Sequence, residues 1–246
     1  ATEGYLKTGI LNKDAIKKIQ NKIEFETPMY EMAESTGYIE GVCIEDKKIR
    51  RDLDEMLRFI ISPFLDKIMH NYKSILYTAI VKDSDKNSNI DLHQDWSLTD
   101  ERKFPSLTLW MPLVDSSEEN GTIYLVPKSH KKYNNIRGGT IPFVFSEKEK
   151  DNLLKQMIPI KVNAGEVVLF NQRIVHYSPP NLSSAKRVSV LASLLPNVAD
   201  TIQYFKREDE IVEMYKMNDD FFLDFNDFLL EKDFKPIGEK IKELNL

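Results

Sequence analysis

The sequence is poor in the features that mark several classes of protein. It has one cysteine, Cys43, so no disulfide can form within the chain, which is typical of a reducing compartment. Its 34 basic residues are outnumbered by 39 acidic ones, and the net charge of −5 argues against a general nucleic-acid-binding protein. No apolar run approaches the roughly 18 residues of a membrane span, and no basic segment followed by an apolar one opens the chain. We therefore expect a cytoplasmic protein with no nucleic-acid, membrane or implied protein partner.

The length and composition are those of a folded globular chain. Its 246 residues are 41% hydrophobic and 10% aromatic, which is enough for a core without disulfide or metal staples. No internal repeat, low-complexity segment or long linker interrupts it. We expect a single domain over 1–246, with a mostly helical N-terminal jacket at 1–73, a β core at 74–198 and a C-terminal extension at 199–246.

Outside the predicted β core, apolar residues recur with the period of a helix. Four segments are predicted to be helical on this ground: Ala15–Ile23, Lys47–Tyr72, Phe221–Leu230 and Glu239–Leu244. Pro63 should bend or break the second of them. The stretch Glu24–Glu45 has no sustained period, so we expect loop or short extended pieces there.

Within the β core, short apolar or alternating runs are separated by turn residues such as Asn-Gly and Pro-Pro. The predicted strands are Ser74–Val81, Ser106–Leu113, Thr122–Val126, Ile158–Val162, Glu166–Phe170, Ile174–His176 and Arg187–Leu195. A short helix is predicted at Glu147–Gln156. Many short strands with frequent turns indicate an antiparallel sandwich or barrel.

Two of the four histidines lie in this β region with neighbours that suggest chemistry. His93 is followed two places later by Asp95, and side chains at i and i+2 of a strand point to the same face. This spacing is common by chance, and His93 alone could equally be a hydrogen-bonded surface residue. For His70 we expect a packing role on the second helix, and for His130 a local hydrogen bond.

A second candidate pair is His176, which closes one apolar strand, and Arg187, which opens the next. Adjacent antiparallel strands would bring the two side chains together, both facing inward. A buried guanidinium needs an anion, although a protein carboxylate or exposure at the strand end would also satisfy Arg187. Two histidines and one carboxylate form the facial triad of non-haem Fe(II) oxygenases, which leaves three open positions on the metal.

Several motifs in a fixed order resemble the phytanoyl-CoA dioxygenase-like family of Fe(II)- and 2-oxoglutarate-dependent oxygenases. They are His93-Gln94-Asp95, Leu109–Leu113, Asn120–Lys131 and Gly165–Phe170, followed by His176 and Arg187. The resemblance covers about 75–197. It implies a mainly β fold with flanking helices, built on a double-stranded β-helix (jelly-roll, cupin-like) core.

The resemblance also implies roles for particular residues. The iron ligands fall on His93, Asp95 and His176. The arginine that binds the 2-oxoglutarate carboxylate falls on Arg187, and two further co-substrate residues match Trp110 and Ser178. The implied cofactor is Fe(II), with 2-oxoglutarate and O₂ as co-substrates.

The implied reaction is hydroxylation of an unactivated C–H bond of a small-molecule or natural-product-like substrate, with release of succinate and CO₂. Halogenating relatives carry a small residue in place of Asp95, so its presence favours hydroxylation, desaturation or ring formation. The alternative is a non-catalytic metal-binding jelly roll that acts as a sensor or scaffold. Substrate choice is expected to lie in loops, where Arg137 could bind an anionic substrate group or simply be solvated.

Overall fold

The computed structural model describes residues 2–141, 145–207, 209–225 and 238–245. The helices are α1 Lys13–Glu26, α2 Met29–Thr36, α3 Lys47–Ile68, α4 Ser129–Lys132, α5 Glu147–Leu154 and α6 Phe221–Asp224. The strands are β1 Tyr5–Ile10, β2 Tyr38–Glu40, β3 Tyr72–Lys82, β4 Ile90–His93, β5 Leu107–Pro112, β6 Tyr124–Leu125, β7 Ile158–Pro159, β8 Glu166–Asn171, β9 His176–Ser178, β10 Arg187–Pro196, β11 Ile202–Lys206, β12 Ile211–Met217 and β13 Gly238–Asn245.

Two antiparallel sheets form the core. The larger has the strand order β1-β8-β5-β10-β3-β2, and the smaller has the order β4-β9-β6-β7. Buried apolar side chains from both sheets pack together around Trp110, as expected where two sheets face each other. The predicted fold, mainly β with a jelly-roll core and flanking helices, is confirmed.

Side chains of β10 alternate between two environments. Val188, Val190, Ala192 and Leu194 pack with residues of α1, α2 and α3 on the outer face of the large sheet. Arg187, Ser189, Leu191 and Ser193 alternate with them along the strand, so they point into the space between the two sheets. A polar or charged residue on this second set therefore faces the interior.

The N-terminal helices begin where the sequence provides caps. The side chain of Asn12 accepts a hydrogen bond from the Ala15 amide at 2.9 Å, and Asp46 does the same for Lys48 at 2.8 Å. The predicted break at Pro63 is wrong, because α3 runs through it. Pro63 lies on the exposed side of the helix, where water can satisfy the carbonyl left without its N–H partner.

The interpretation of Glu24–Glu45 as loop is wrong in part, because the segment contains α2 and β2. β2 pairs with the edge of β3, with Tyr38 opposite Lys82 and Glu40 opposite Ile80. A three-residue strand of this kind is stabilised by its partner rather than by its own pattern. β1 and β2 thus bring strands to the large sheet from outside 74–198, and the single-domain organisation stays a prediction.

The C-terminal extension differs most from expectation. β11, β12 and β13 form a separate antiparallel sheet that was not predicted. The helix predicted at Glu239–Leu244 is wrong, because pairing with β12 makes this segment a strand. Of the helix predicted at Phe221–Leu230, α6 covers the start, and residues 226–230 lie outside the described residues. No helix in the described ranges has the length and apolarity needed to cross a membrane.

Candidate metal centre and co-substrate site

The small sheet brings the three predicted metal ligands together. His93 ends β4 and lies directly opposite His176 of β9, and Asp95 follows two residues after His93. Asp95 Oδ1 is 3.8 Å from His93 Nε2 and 3.5 Å from His176 Nε2. Within the described residues these side chains form a group that could hold one metal ion, with ligand atoms no more than 4.8 Å apart.

Each histidine is oriented by a main-chain carbonyl. His93 Nδ1 is 2.7 Å from the Asp91 oxygen, and His176 Nδ1 is 2.9 Å from the Ile174 oxygen. A carbonyl can only accept, so both Nδ1 atoms carry the proton and both Nε2 lone pairs face Asp95. Burial, and next the neighbouring His176, lower the pKa of His93. The ring is therefore neutral, as a metal ligand must be.

Asp95 is held at its side chain and at its main chain. Thr108 on β5 donates to Asp95 Oδ2, which leaves Oδ1 toward the histidines. Arg137 Nε donates to the Asp95 carbonyl oxygen at 2.6 Å. The ligand loop is thus fixed between the large sheet and the loop that contains Arg137.

Neither expectation for Arg137 is met, because it is neither solvated nor free to bind an anion. It is 6% exposed, its Nη2 pairs with Glu101 at 2.8 Å, and its Nη1 donates to the Asn135 oxygen at 2.6 Å. Glu101 lies 36 residues away along the chain, so no local pattern could reveal this pair. Arg137 acts here as a positioning residue for Asp95.

The two remaining histidines and Gln94 stand apart from the triad. Gln94 donates from Nε2 to the Tyr133 and Arg173 carbonyl oxygens rather than joining the metal group. The packing role predicted for His70 is wrong, since that residue is exposed just after α3. His130 Nδ1 is buried with no hydrogen-bond partner in the described part of the chain.

Arg187 is buried, but its expected neighbour relation was wrong. β9 and β10 belong to different sheets, so His176 and Arg187 are not neighbours along one sheet. Arg187 is 1% exposed, and neither Nε nor Nη1 has a hydrogen-bond partner among the described residues. Its guanidinium carbon lies 5.8 Å from the centre of the buried Trp110 ring. Burial lowers the pKa of Arg187 to about 10, so it stays protonated at neutral pH.

Lys82 is a second buried basic residue that the sequence analysis missed, since the predicted strand ended one residue before it, at Val81. It lies directly opposite Arg187 in the β3–β10 register and is fully buried. Its Nζ donates to Ser178 Oγ at 2.7 Å and to the Pro179 oxygen, while Ser178 Oγ donates to the Gly121 oxygen at 2.8 Å. Burial, and next Arg187, lower the pKa of Lys82 to about 6. The signal that could have found Lys82 is a charged residue at the end of an apolar strand, just as Arg187 stands at the start of one.

Both halves of the site fit the groups that the sequence implies. Two neutral imidazoles and a carboxylate suit a divalent transition metal with open coordination positions. Two buried basic side chains, neither of which has a described carboxylate within ion-pairing distance, suit a dicarboxylic acid. A cavity of about 440 Å³ adjoins the triad, with His93 and Asp95 in its wall.

We expect the triad to bind a divalent metal, and removing any one ligand to weaken that binding by at least tenfold. Fe(II) or Co(II) should be titrated anaerobically into the protein and into His93→Ala, Asp95→Ala and His176→Ala, with bound metal measured by calorimetry. His70→Ala removes an exposed histidine and is the matched control. Full metal occupancy in Asp95→Ala would contradict the assignment.

Solved structures share this architecture. The carbocyclase SnoK from nogalamycin biosynthesis, described as non-heme and alpha ketoglutarate dependent, is 18% identical with a TM-score of 0.58, covering 81% of this chain and 83% of that one. HygX from Streptomyces hygroscopicus, crystallised with nickel, 2-oxoglutarate and hygromycin B, is 16% identical with a TM-score of 0.53, covering 85% and 90%. At these identities the likeness shows the fold.

Sequence comparison gives the family. A zebrafish (Danio rerio) phytanoyl-CoA dioxygenase domain-containing protein 1 is 24% identical over 182 residues, covering 71% of this chain and 55% of that protein. The chain spans about half the length of this curated relative. Proteins of the family use Fe(II), 2-oxoglutarate and O₂. The profile of the family described as Phytanoyl-CoA dioxygenase (PhyH) matches residues 40–189. Because that match covers more than half of the chain, the protein belongs to the phytanoyl-CoA dioxygenase family.

Proposed function

We propose that the protein is an Fe(II)- and 2-oxoglutarate-dependent dioxygenase that hydroxylates an unactivated C–H bond of a small molecule. One O₂ oxidises both partners: the substrate gains a hydroxyl group, and 2-oxoglutarate becomes succinate and CO₂. The observation that carries the proposal is that Lys82, which lies opposite Arg187, donates to Ser178 on the strand that holds His176, while neither basic side chain has a protein carboxylate. A metal site alone would not need them.

The chain's own residues bind and orient rather than exchange protons. Iron bound at the triad would supply the activation of O₂ that couples decarboxylation of 2-oxoglutarate to oxidation of the substrate. Arg187 offers a planar, permanently charged guanidinium to the far carboxylate of 2-oxoglutarate, and Lys82 adds a second charge beside it. Ser178 positions the Lys82 ammonium group. Its direct donation to the co-substrate stays a prediction, as does packing of Trp110 on the co-substrate methylenes.

The cavity beside the triad supports a small organic substrate. Its walls include apolar side chains, among them Val42, Leu76, Leu98 and Phe222, which exclude water from the reacting centre. Solved structures of the same fold concern natural products: SnoK belongs to nogalamycin biosynthesis, and HygX was crystallised with hygromycin B. SnoK is named a carbocyclase, so ring formation is the main rival outcome of the same initial oxidation.

The decisive experiment is succinate formation from 2-oxoglutarate. We expect Fe(II)- and O₂-dependent succinate in the presence of the protein, increased severalfold by the right member of a metabolite library, with His176→Ala inactive. Mass spectrometry of the stimulating compound should show a gain of one oxygen atom. Metal binding without succinate under any library compound would instead favour the non-catalytic sensor or scaffold.

Arg187 should control affinity for 2-oxoglutarate. Arg187→Lys keeps the charge but loses the bidentate geometry, so the KM for 2-oxoglutarate should rise clearly. Arg187→Ala should reduce the binding free energy of 2-oxoglutarate by about 2–5 kcal/mol, much of it because a buried carboxylate of the co-substrate is left unpaired. Metal affinity should stay near that of the unmodified protein, because the side chain does not belong to the triad.

Anaerobic titration of 2-oxoglutarate into the Fe(II) protein, followed by the visible metal-to-ligand charge-transfer band, measures this affinity directly. A purely structural arginine would give the opposite pattern, with lower thermal stability and unaltered 2-oxoglutarate affinity. Unchanged affinity in Arg187→Ala would mean that the co-substrate is held elsewhere.

Lys82 makes 2-oxoglutarate binding depend on pH. With its pKa lowered to about 6, the free protein holds this lysine neutral at pH 8, and an adjacent bound carboxylate favours the charged form. Binding should therefore take up close to one proton at pH 8, and affinity should fall as pH rises above 6, by up to tenfold per unit. Calorimetry in buffers of different ionisation enthalpy measures the uptake. Lys82→Met should abolish it, whereas uptake unchanged by that substitution would exclude Lys82 as its source.

A further inference from the structure

A second polar group faces the cavity on the side away from Lys82 and Arg187. Glu40 ends β2 opposite Ile80 of β3, and Thr78 is two residues from Ile80 on the same face of that strand. The two are close in space, because a Cβ added to the next residue, Gly41, would lie 2.9 Å from Thr78 Oγ1. Both side chains line the cavity that reaches His93.

Neither side chain is satisfied by the protein. Thr78 is 3% exposed, and its hydroxyl has no hydrogen-bond partner among the described residues. No ion pair or hydrogen bond to the Glu40 carboxyl occurs in the described part of the chain either. Buried polar groups in folded proteins are nearly always paired, so the Thr78 hydroxyl, beside a half-buried carboxyl that also has no partner, calls for a ligand.

The charge of the cavity indicates the sign of that ligand. Arg137 is the cation among the described residues that line it, and its guanidinium is already bound to Glu101 and to main-chain oxygens. Asp95 is committed to the metal group. The nearby Cys43 thiol is neutral, because burial, and next Glu40, raise its pKa to about 12. Among the described side chains that line the cavity, none offers Glu40 a free cationic group.

An uncharged apolar ligand would leave this carboxylate desolvated, and an anionic ligand would be repelled. Burial, and next Asp95, raise the pKa of Glu40 to about 7. A protonated amine would restore the charged form and offers three donors, which suit carboxylate oxygens and a threonine hydroxyl.

We infer that the substrate carries a protonated amine and that Glu40, assisted by Thr78, binds this group while the triad faces the C–H bond to be oxidised. The inference rests on the proposed function in taking this cavity as the substrate site. It makes Glu40 a specificity-determining residue that selects basic substrates over neutral or acidic ones of the same shape.

The test uses three probes that differ only in the terminal group: 3-phenylpropylamine, 3-phenylpropan-1-ol and 3-phenylpropanoate. Each is titrated calorimetrically and anaerobically into the protein loaded with Fe(II) and 2-oxoglutarate. The charge-transfer band shows separately that metal and co-substrate are bound. We expect the amine to bind at least tenfold more tightly than the alcohol, and the carboxylate to bind more weakly than either.

Glu40→Gln, which keeps the shape and removes the charge, should reduce the preference for the amine to less than twofold while the charge-transfer band remains. Glu40→Asp should keep the preference at lower affinity, and it serves if the first variant does not fold. Glu45→Gln removes the same charge from an exposed position five residues away and should behave like the unmodified protein.

Equal affinities for amine and alcohol, or no binding of either probe, would overturn the inference and leave the proposed function standing. A preference that survives Glu40→Gln would overturn the role of Glu40. Loss of the charge-transfer band in the unmodified protein is a different result, because it would count against the dioxygenase itself.

Discussion

Two basic side chains share the interior of the large sheet. Lys82 and Arg187 face each other across β3 and β10, and the described residues place no carboxylate within ion-pairing distance of either. Burial and the neighbouring guanidinium both disfavour the charged form of Lys82, and its pKa is lowered to about 6. The strand register holds the pair in place nevertheless. A dianionic ligand removes both penalties at once, so the co-substrate half of the site is organised before the co-substrate arrives.

The metal half depends on a different centre, the carboxylate of Glu101. It is 7% exposed and accepts from Arg137 at 2.8 Å, from Ser106 at 3.0 Å and from Arg173 at 3.3 Å. Arg137, held by Glu101, in turn donates a hydrogen bond to the main-chain carbonyl of Asp95 and so restrains it. A buried hydrogen-bond network stabilises a structure more when it is complete than its separate bonds would. The position of Asp95 is therefore fixed by residues that are not metal ligands.

The sequence could predict those parts of the site whose residues are close together along the chain, and not those that depend on contacts between distant segments. The ligand pair His93 and Asp95 is local, so a spacing of two residues was enough to predict that they converge, although Asp95 lies just beyond the end of β4. Lys82 and the Glu101–Arg137 pair depend on contacts between distant segments, and β13 becomes a strand only because β12 lies beside it. Jelly-roll strands pair with neighbours distant in sequence, which explains why His176 and Arg187, on consecutive strands, lie in opposite sheets.

The same alternation that builds the core also separates the charges within it. Along the inner face of β3, Lys82 lies at one end, and Thr78, four residues earlier, lies beside Glu40. Isoleucine at position 80 separates the cationic end from the end that presents an acceptor. An anionic co-substrate and a basic substrate would each find favourable potential at its own end and unfavourable potential at the other. Electrostatics then determines which ligand binds at which end: the acid is disfavoured in the substrate's place, and the amine is disfavoured in the co-substrate's.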